Sequence, residues 1–153
     1  MDQNIDSHPL LGEILIHRHM ITQEQLDAAL ELQRKEKQFI GEILVRLGFV
    51  EERDIVVALV VQCGLPYIAI NKIQIDPQII KLIPPDLAQN VPLVPLDRAG
   101  DVLSVVMTNP LNDEVKLRLE KLTGCKIATF ISTKTEITQA VNRFYPVEKD
   151  RRV

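Results

Sequence analysis

Tryptophan is absent from this 153-residue chain and aromatic residues make up only 4% of it. There is therefore no row of rings on which single-stranded nucleic acid would stack. Cations are not in excess either: 18 Lys and Arg stand against 21 Asp and Glu, a formal net charge of -3, which excludes a basic surface that tracks phosphates. No apolar run approaches the roughly 20 residues that a membrane span requires. The two cysteines, Cys63 and Cys125, match no zinc or redox spacing. Residues 1–8 are acidic and polar, unlike a secretory leader. These absences point away from nucleic acid partners and direct membrane insertion, and towards a reducing cytoplasm.

Catalytic signatures are missing as well. Neither G-x-x-x-x-G-K-[ST] nor G-x-G-x-x-G occurs, so the two common backbone cradles for nucleotide phosphate are lacking. The only serines are Ser7, Ser104 and Ser132, and the only histidines, His8, His17 and His19, all precede position 20. No nucleophile–base arrangement suggests itself. His17 and His19 lie two apart and would point in different directions on a helix, which argues against a shared metal. Cys63 and Cys125 read as small buried apolar residues. Asp97 and Asp101 bracket a turn, where carboxylates bond locally to backbone. The expectation is a non-enzyme with no catalytic residues, no metal and no cofactor.

What the chain does have is a repeat. A shift of 29 positions lays Leu11-Gly12-Glu13-Ile14-Leu15 on Ile40-Gly41-Glu42-Ile43-Leu44, and the match continues at Ile21/Val50, Leu26/Ile55, Ala29/Ala58, Leu30/Leu59 and Gln33/Gln62. The unit is a 24-residue block used twice, residues 10–33 and 39–62, with Arg34-Lys35-Glu36-Lys37-Gln38 as spacer. Each block reads as a short helix, a turn and a longer helix. Thr22 with Gln25 forms a capping box, after which Leu26, Ala29, Leu30 and Gln33 share a face. Ile55-Val56-Val57-Ala58-Leu59-Val60-Val61 is β-branched enough to suit a strand, but its partner in the first copy makes it a helix. Being apolar on nearly every side, that helix needs cover from this chain or from a partner. Gly48 fits a left-handed turn between short and long helix, where the first copy carries His19. The spacer cations suit the negative end of a helix.

From Gly64-Leu65-Pro66 the periodicity is lost. Asp76 and Pro77 are expected to open a helix through Ile83, stopped by Pro84-Pro85, with a helical turn over 86–89. Strands are expected over 91–96 and 102–107, around a polar 97–101 loop. A helix comes next from Asn109-Pro110, with Val115, Leu119 and Leu122 as its apolar stripe and Gly124 at its end. Residues 126–131 form a third strand. Thr133 and Glu136 then cap a helix that runs through Ile137, Val141 and Phe144 and stops before Pro146. The fold class is α+β: a helical subdomain built from a duplicated helix-turn-helix block, then a small α/β subdomain of β-β-α-β-α order. That order implies a three-stranded or slightly larger sheet with helices on one face. The expected divisions are a disordered 1–8, a helical 9–63, a linker with short helices 64–90, an α/β part 91–146 and a charged tail 147–153.

The duplicated block, L-G-x-x-L near its start and Gln at its end, resembles the MshEN-type amino-terminal domain of type II secretion and type IV pilus assembly ATPases. Pro95, Met107-Thr108-Asn109-Pro110-Leu111-Asn112, Leu119, Leu122-Thr123-Gly124 and Phe144-Tyr145 resemble the α/β part of the same domain, so the likeness spans residues 9–146. The resemblance implies a regulatory and protein-interaction domain, cytoplasmic and peripheral to the inner membrane through a partner. That partner would be a secretion or pilus ATPase or the inner-membrane platform protein that the motor docks on. The alternative that the resemblance carries is a cyclic di-GMP receptor. Its ligand-facing positions would then be Leu10, Leu11, Gly12, Leu26, Leu30 and Gln33 in the first motif, and Phe39, Ile40, Gly41, Ile55, Leu59 and Gln62 in the second. Family members that bind cyclic di-GMP typically begin each motif with Arg, which pairs with guanine or phosphate. This chain has Leu10 and Phe39 there.

Overall fold

The computed structural model describes residues 10–146, so the stretch 1–8 and the tail 147–153 lie outside the described residues. The chain divides between Leu65 and Pro66 into two compact units.

The first unit is four helices: α1 (Leu11–His17), α2 (Gln23–Glu36), α3 (Ile40–Arg46) and α4 (Glu52–Cys63). The repeat extends to individual backbone hydrogen bonds. Met20 N donates to Leu15 O at 2.9 Å as Phe49 N does to Leu44 O at 3.0 Å, and Leu26 N donates to Thr22 O as Ile55 N does to Glu51 O. His19 and Gly48 both hold left-handed backbone, at φ 62° and 80°. At the start of α2, Thr22 and Gln25 exchange hydrogen bonds as a capping box. In the second copy the Asp54 carboxylate likewise accepts from Glu51 N, at 2.8 Å.

Packing crosses between the copies. α1 lies on α4 and α2 on α3, while α3 also meets α4, so the short helix of each block covers the long helix of the other. Leu15, Ile43, Leu44 and Leu59 are enclosed, and burial of each such side chain contributes about 1.5–3 kcal/mol. Cover of α4 is not complete. Val57 and Val61 remain 44% and 56% exposed. Cys63 is half-buried rather than buried, because it sits in the last turn of that helix.

The second unit opens with a 3-10 turn over Ile70–Lys72 and continues through α5 (Pro77–Ile80), α6 (Pro85–Asn90), β1 (Leu93–Ala99), β2 (Val102–Met107), α7 (Asp113–Thr123), β3 (Lys126–Ile131) and α8 (Lys134–Phe144). The sheet order is β1-β2-β3, with β1 antiparallel and β3 parallel to β2. α7 is the crossover that a parallel pair requires. Pro66–Ile68 extends the β3 edge: Ile68 N donates to Ile131 O and Ile131 N to Pro66 O, both at 2.9 Å.

Several expectations need correction. The helix that opens at Pro77 ends at Ile80 and not at Ile83; Leu82 N and Ile83 N bond three residues back instead of four, because Pro84 disfavours helical backbone at the residue before it. The hairpin loop is shorter than 97–101. β1 runs to Ala99, and a bulge at Leu96, beside Pro95 that lacks an N–H, absorbs the extra residue. α7 starts at Asp113 with Asn112 as its cap, whereas Asn109 closes a preceding turn on Leu111 N. Leu122 leaves the stripe and is 51% exposed in the last turn. Finally, Val105, Val106 and Met107 are buried in succession. Since consecutive residues point to opposite sides of a strand, both faces of the sheet are covered at that end of β2.

Candidate functional site

The site residues of the two motifs all fall in the first unit, at the start of each short helix and along each long one. The structure sorts them by exposure. Leu11, Gly12 and Leu26 of the first motif and Gly41, Ile55, Leu59 and Gln62 of the second are buried. Gln33, Phe39 and Ile40 are half-buried. Leu10 is 65% exposed and Leu30 is 39% exposed.

The two glycines act as contact points between helices. A Cβ on Gly12 would stand 2.7 Å from Leu26 Cδ1, and one on Gly41 would stand 2.9 Å from the Phe39 ring and 3.0 Å from Ile55 Cγ2. In each copy the start of the short helix therefore rests on the first apolar residue of the long helix, and a larger residue at either glycine would have to displace that side chain. Gln33 is engaged as well: its Nε2 donates to Gln38 O at 3.0 Å and braces the spacer.

Equivalent positions are not equally covered. Leu59 is enclosed at 1% exposure where Leu30 keeps 39%. α2 also runs two residues further than its counterpart, 14 residues against 12, and ends on Lys37 in left-handed backbone, whereas α4 ends on Gly64. The extension carries Glu36, which takes Arg46 Nη2 at 2.6 Å, while Arg46 Nη1 donates to Gln38 Oε1 at 3.0 Å. Periodicity signals the repeat but not this difference in helix length, which depends on the residues that succeed each copy.

Between α1 and α4 lies an open groove of about 420 Å³, lined by Glu13, Ile14, His17, Arg18 and Val61. None of the five stands out as a contact from sequence. The one signal available is the run of apolar residues around α4 that exceeds what a four-helix unit covers.

The second unit has its own polar cluster. Glu136 accepts from Ser132 Oγ at 2.7 Å, from Tyr67 Oη at 2.9 Å and from Thr133 Oγ1 at 3.2 Å. Burial pushes its carboxyl up, but those hydrogen bonds outweigh it and hold the group below the usual glutamate range. Burial also raises the Tyr145 phenol far above its ordinary value, and its hydroxyl donates to Ile80 O at 2.7 Å. Both clusters tie α8 to earlier segments of the same unit. Among the described residues, no group of three or more His, Cys, Asp or Glu is placed to hold a metal ion, and no helix is long and apolar enough to cross a membrane.

Comparison with known proteins places the chain in context. Residues 63–151 match the profile of the MshEN domain. Over 135 residues the chain is 37% identical to the type IV pilus assembly ATPase PilB of Myxococcus xanthus (strain DK1622), covering 88% of this chain and 24% of that protein. The chain thus spans about a quarter of that relative. Its fold matches MshE, solved with cdg, at a TM-score of 0.76 and 24% identity, over 90% of this chain and 99% of the other. The amino-terminal domain of XpsE superposes at a TM-score of 0.74 with 19% identity, over 88% and 93% of the two chains.

Proposed function

The chain belongs to the MshEN domain family, and on that premise we propose that it is a non-catalytic regulatory and protein-interaction domain of a type IV pilus or type II secretion ATPase system. In this role it docks the motor to the cytoplasmic side of the inner-membrane platform. Its relatives include the type IV pilus assembly ATPase PilB, its fold matches the amino-terminal domain of XpsE, and this chain carries neither phosphate cradle of a nucleotide hydrolase. The observation that carries the docking role is the state of the motif residues. Most are spent on the unit's own core, both glycines are contact points between helices, and apolar side chains stay exposed beside them, Leu10, Leu30, Val57 and Val61. Such a surface suits a protein partner better than a dianion. Direct titration against the cytoplasmic domain of the cognate platform protein tests this role; a saturable 1:1 complex is expected.

A second reading is favoured by one observation, the structure of MshE with cdg, which is cyclic di-GMP. On that reading the ligand would reach Leu10, Leu30, Gln33, Phe39 and Ile40, the motif positions with exposed surface. The heads of both motifs oppose it. A charge-assisted hydrogen bond contributes about 1.5–3 kcal/mol, so replacing each arginine by Leu10 or Phe39 forfeits roughly ten- to a hundredfold in affinity. Calorimetry with cyclic di-GMP should give no saturable heat at micromolar ligand, and the Leu10→Arg/Phe39→Arg double variant should gain affinity. Micromolar binding by the unaltered chain, weakened by Gln33→Ala, would put the receptor role first.

A further inference from the structure

The second unit holds its first residues by two attachments of unequal strength. The earlier one is Pro66–Ile68, which lies along the outer edge of β3 as a parallel bridge between Tyr67 and Ile131. Two backbone bonds secure it, from Ile68 N to Ile131 O and from Ile131 N to Pro66 O, both at 2.9 Å. One side-chain bond is added, from the Tyr67 hydroxyl to the Glu136 carboxylate, with both carboxylate oxygens at 2.9 Å. Pro66 and Tyr67 are exposed and Ile68 is half-buried. The later attachment is the 3-10 turn Ile70–Lys72. Ile70 is fully enclosed, Asn71 Nδ2 donates to Gln139 Oε1 at 2.9 Å, and Arg143 donates through Nη2 to Ile73 O at 2.9 Å and through Nη1 to Asn71 O at 3.4 Å. A shallow attachment thus precedes a deep one, both made to β3 or α8.

We infer that Pro66–Ile68 is a releasable strap, with the Tyr67 hydroxyl as its clasp on Glu136, and that its release lengthens the free chain joining the two units while both stay folded. With the strap seated, Gly64 and Leu65 alone separate the end of α4 at Cys63 from the first held residue, Pro66. With it released, the free segment runs over 64–69 and stops at the enclosed Ile70. The four residues gained extend its reach by up to about 14 Å. Local opening is drawn from such places, where buried contacts are few and backbone bonds lie near solvent. The clasp can part without dismantling the start of α8, because Glu136 still accepts from Ser132 Oγ at 2.7 Å and from Thr133 Oγ1 at 3.2 Å. A strap of this kind operates whatever the first unit binds.

The test is native-state amide exchange of the full chain, followed by NMR at several sub-denaturing urea concentrations, in the parent and in Tyr67→Phe. The variant keeps a ring that is 44% exposed in the parent, so it folds, and it loses the clasp. Ile68 and Ile131 donate across the bridge and Ile73 N donates to Ile70 O within the deeper attachment, while Val141 lies inside α8. In the parent, Ile68 and Ile131 should exchange together, faster than Ile73 and Val141 and with a smaller urea dependence, the mark of a local opening. Tyr67→Phe should speed exchange of the pair by about tenfold, the equivalent of one hydrogen bond to a charged group. Phenylalanine also preserves a chymotryptic site after residue 67, and cleavage there should accelerate in proportion, because it tracks the open population. The inference is overturned if Ile68 and Ile131 share the rate and urea dependence of Val141, since the strap would then open only with the whole unit. An unaltered pair in Tyr67→Phe denies the clasp. Ile73 exchanging at the rate and urea dependence of the pair denies that the free segment stops at Ile70. Unchanged cleavage after residue 67 despite faster exchange denies that the free chain lengthens.

Discussion

Gly12 and Gly41 carry the clearest consequence of single residues. Each lets the start of a short helix rest on a long one, and a methyl group at Gly12 would overlap both Cδ atoms of Leu26, at 2.7 and 2.9 Å. Gly12→Ala should destabilise the first unit by no more than about 1 kcal/mol in denaturant unfolding, because the overlap falls on the flexible end of Leu26. Combining it with Leu26→Ala should recover part of the loss that the two changes would otherwise sum to. Glu136 gives a pH-dependent counterpart in the second unit. Its folded carboxyl lies below the ordinary value of 4.5, so the stabilisation it provides is present above that value and is lost as pH falls through the depressed one. In thermal melts taken between about pH 6 and pH 3, the parent should lose stability more steeply than Glu136→Gln. At neutral pH the variant should be the less stable of the two, because the amide oxygen is a weaker acceptor for Ser132 and Tyr67.

At the scale of elements, the 29-residue repeat makes the first unit legible. A β-branched run that could have formed a strand is α4, because its counterpart is plainly a capped helix. The paired turns give a direct check. Gly48 and His19 hold the same left-handed backbone, so Gly48→Ala should cost about 1–2 kcal/mol, whereas His19→Gly should stabilise by up to about 1 kcal/mol. Urea midpoints of the two variants should move in opposite directions. Capping boxes and prolines place most helix ends in the second unit correctly. Errors arise where tertiary context overrides local signals: a proline-associated bulge carries β1 on to Ala99, and Asn112 rather than Asn109 becomes the cap of α7.

For the molecule as a whole, the motif positions are readable from the repeat, but their burial is not. Leu59 and Leu30 occupy equivalent places in sequence, yet one is enclosed and the other is 39% exposed. The difference reflects what packs on each long helix, since α4 meets both α1 and α3 whereas α2 packs chiefly on α3, and periodicity within a block does not encode that. The groove at Val61 escapes sequence reasoning as well, since α4 ends two residues sooner than α2. On this reading the duplicated helical unit is a protein-docking module with an apolar exposed surface. Its most direct test is a calorimetric titration of this chain with the cytoplasmic domain of the cognate platform protein, in the absence of any nucleotide. The prediction is saturable 1:1 binding at micromolar concentration or tighter, unaffected by added cyclic di-GMP. The contradictory result is no binding without cyclic di-GMP and tight binding once it is added, which would make the unit a dinucleotide receptor first.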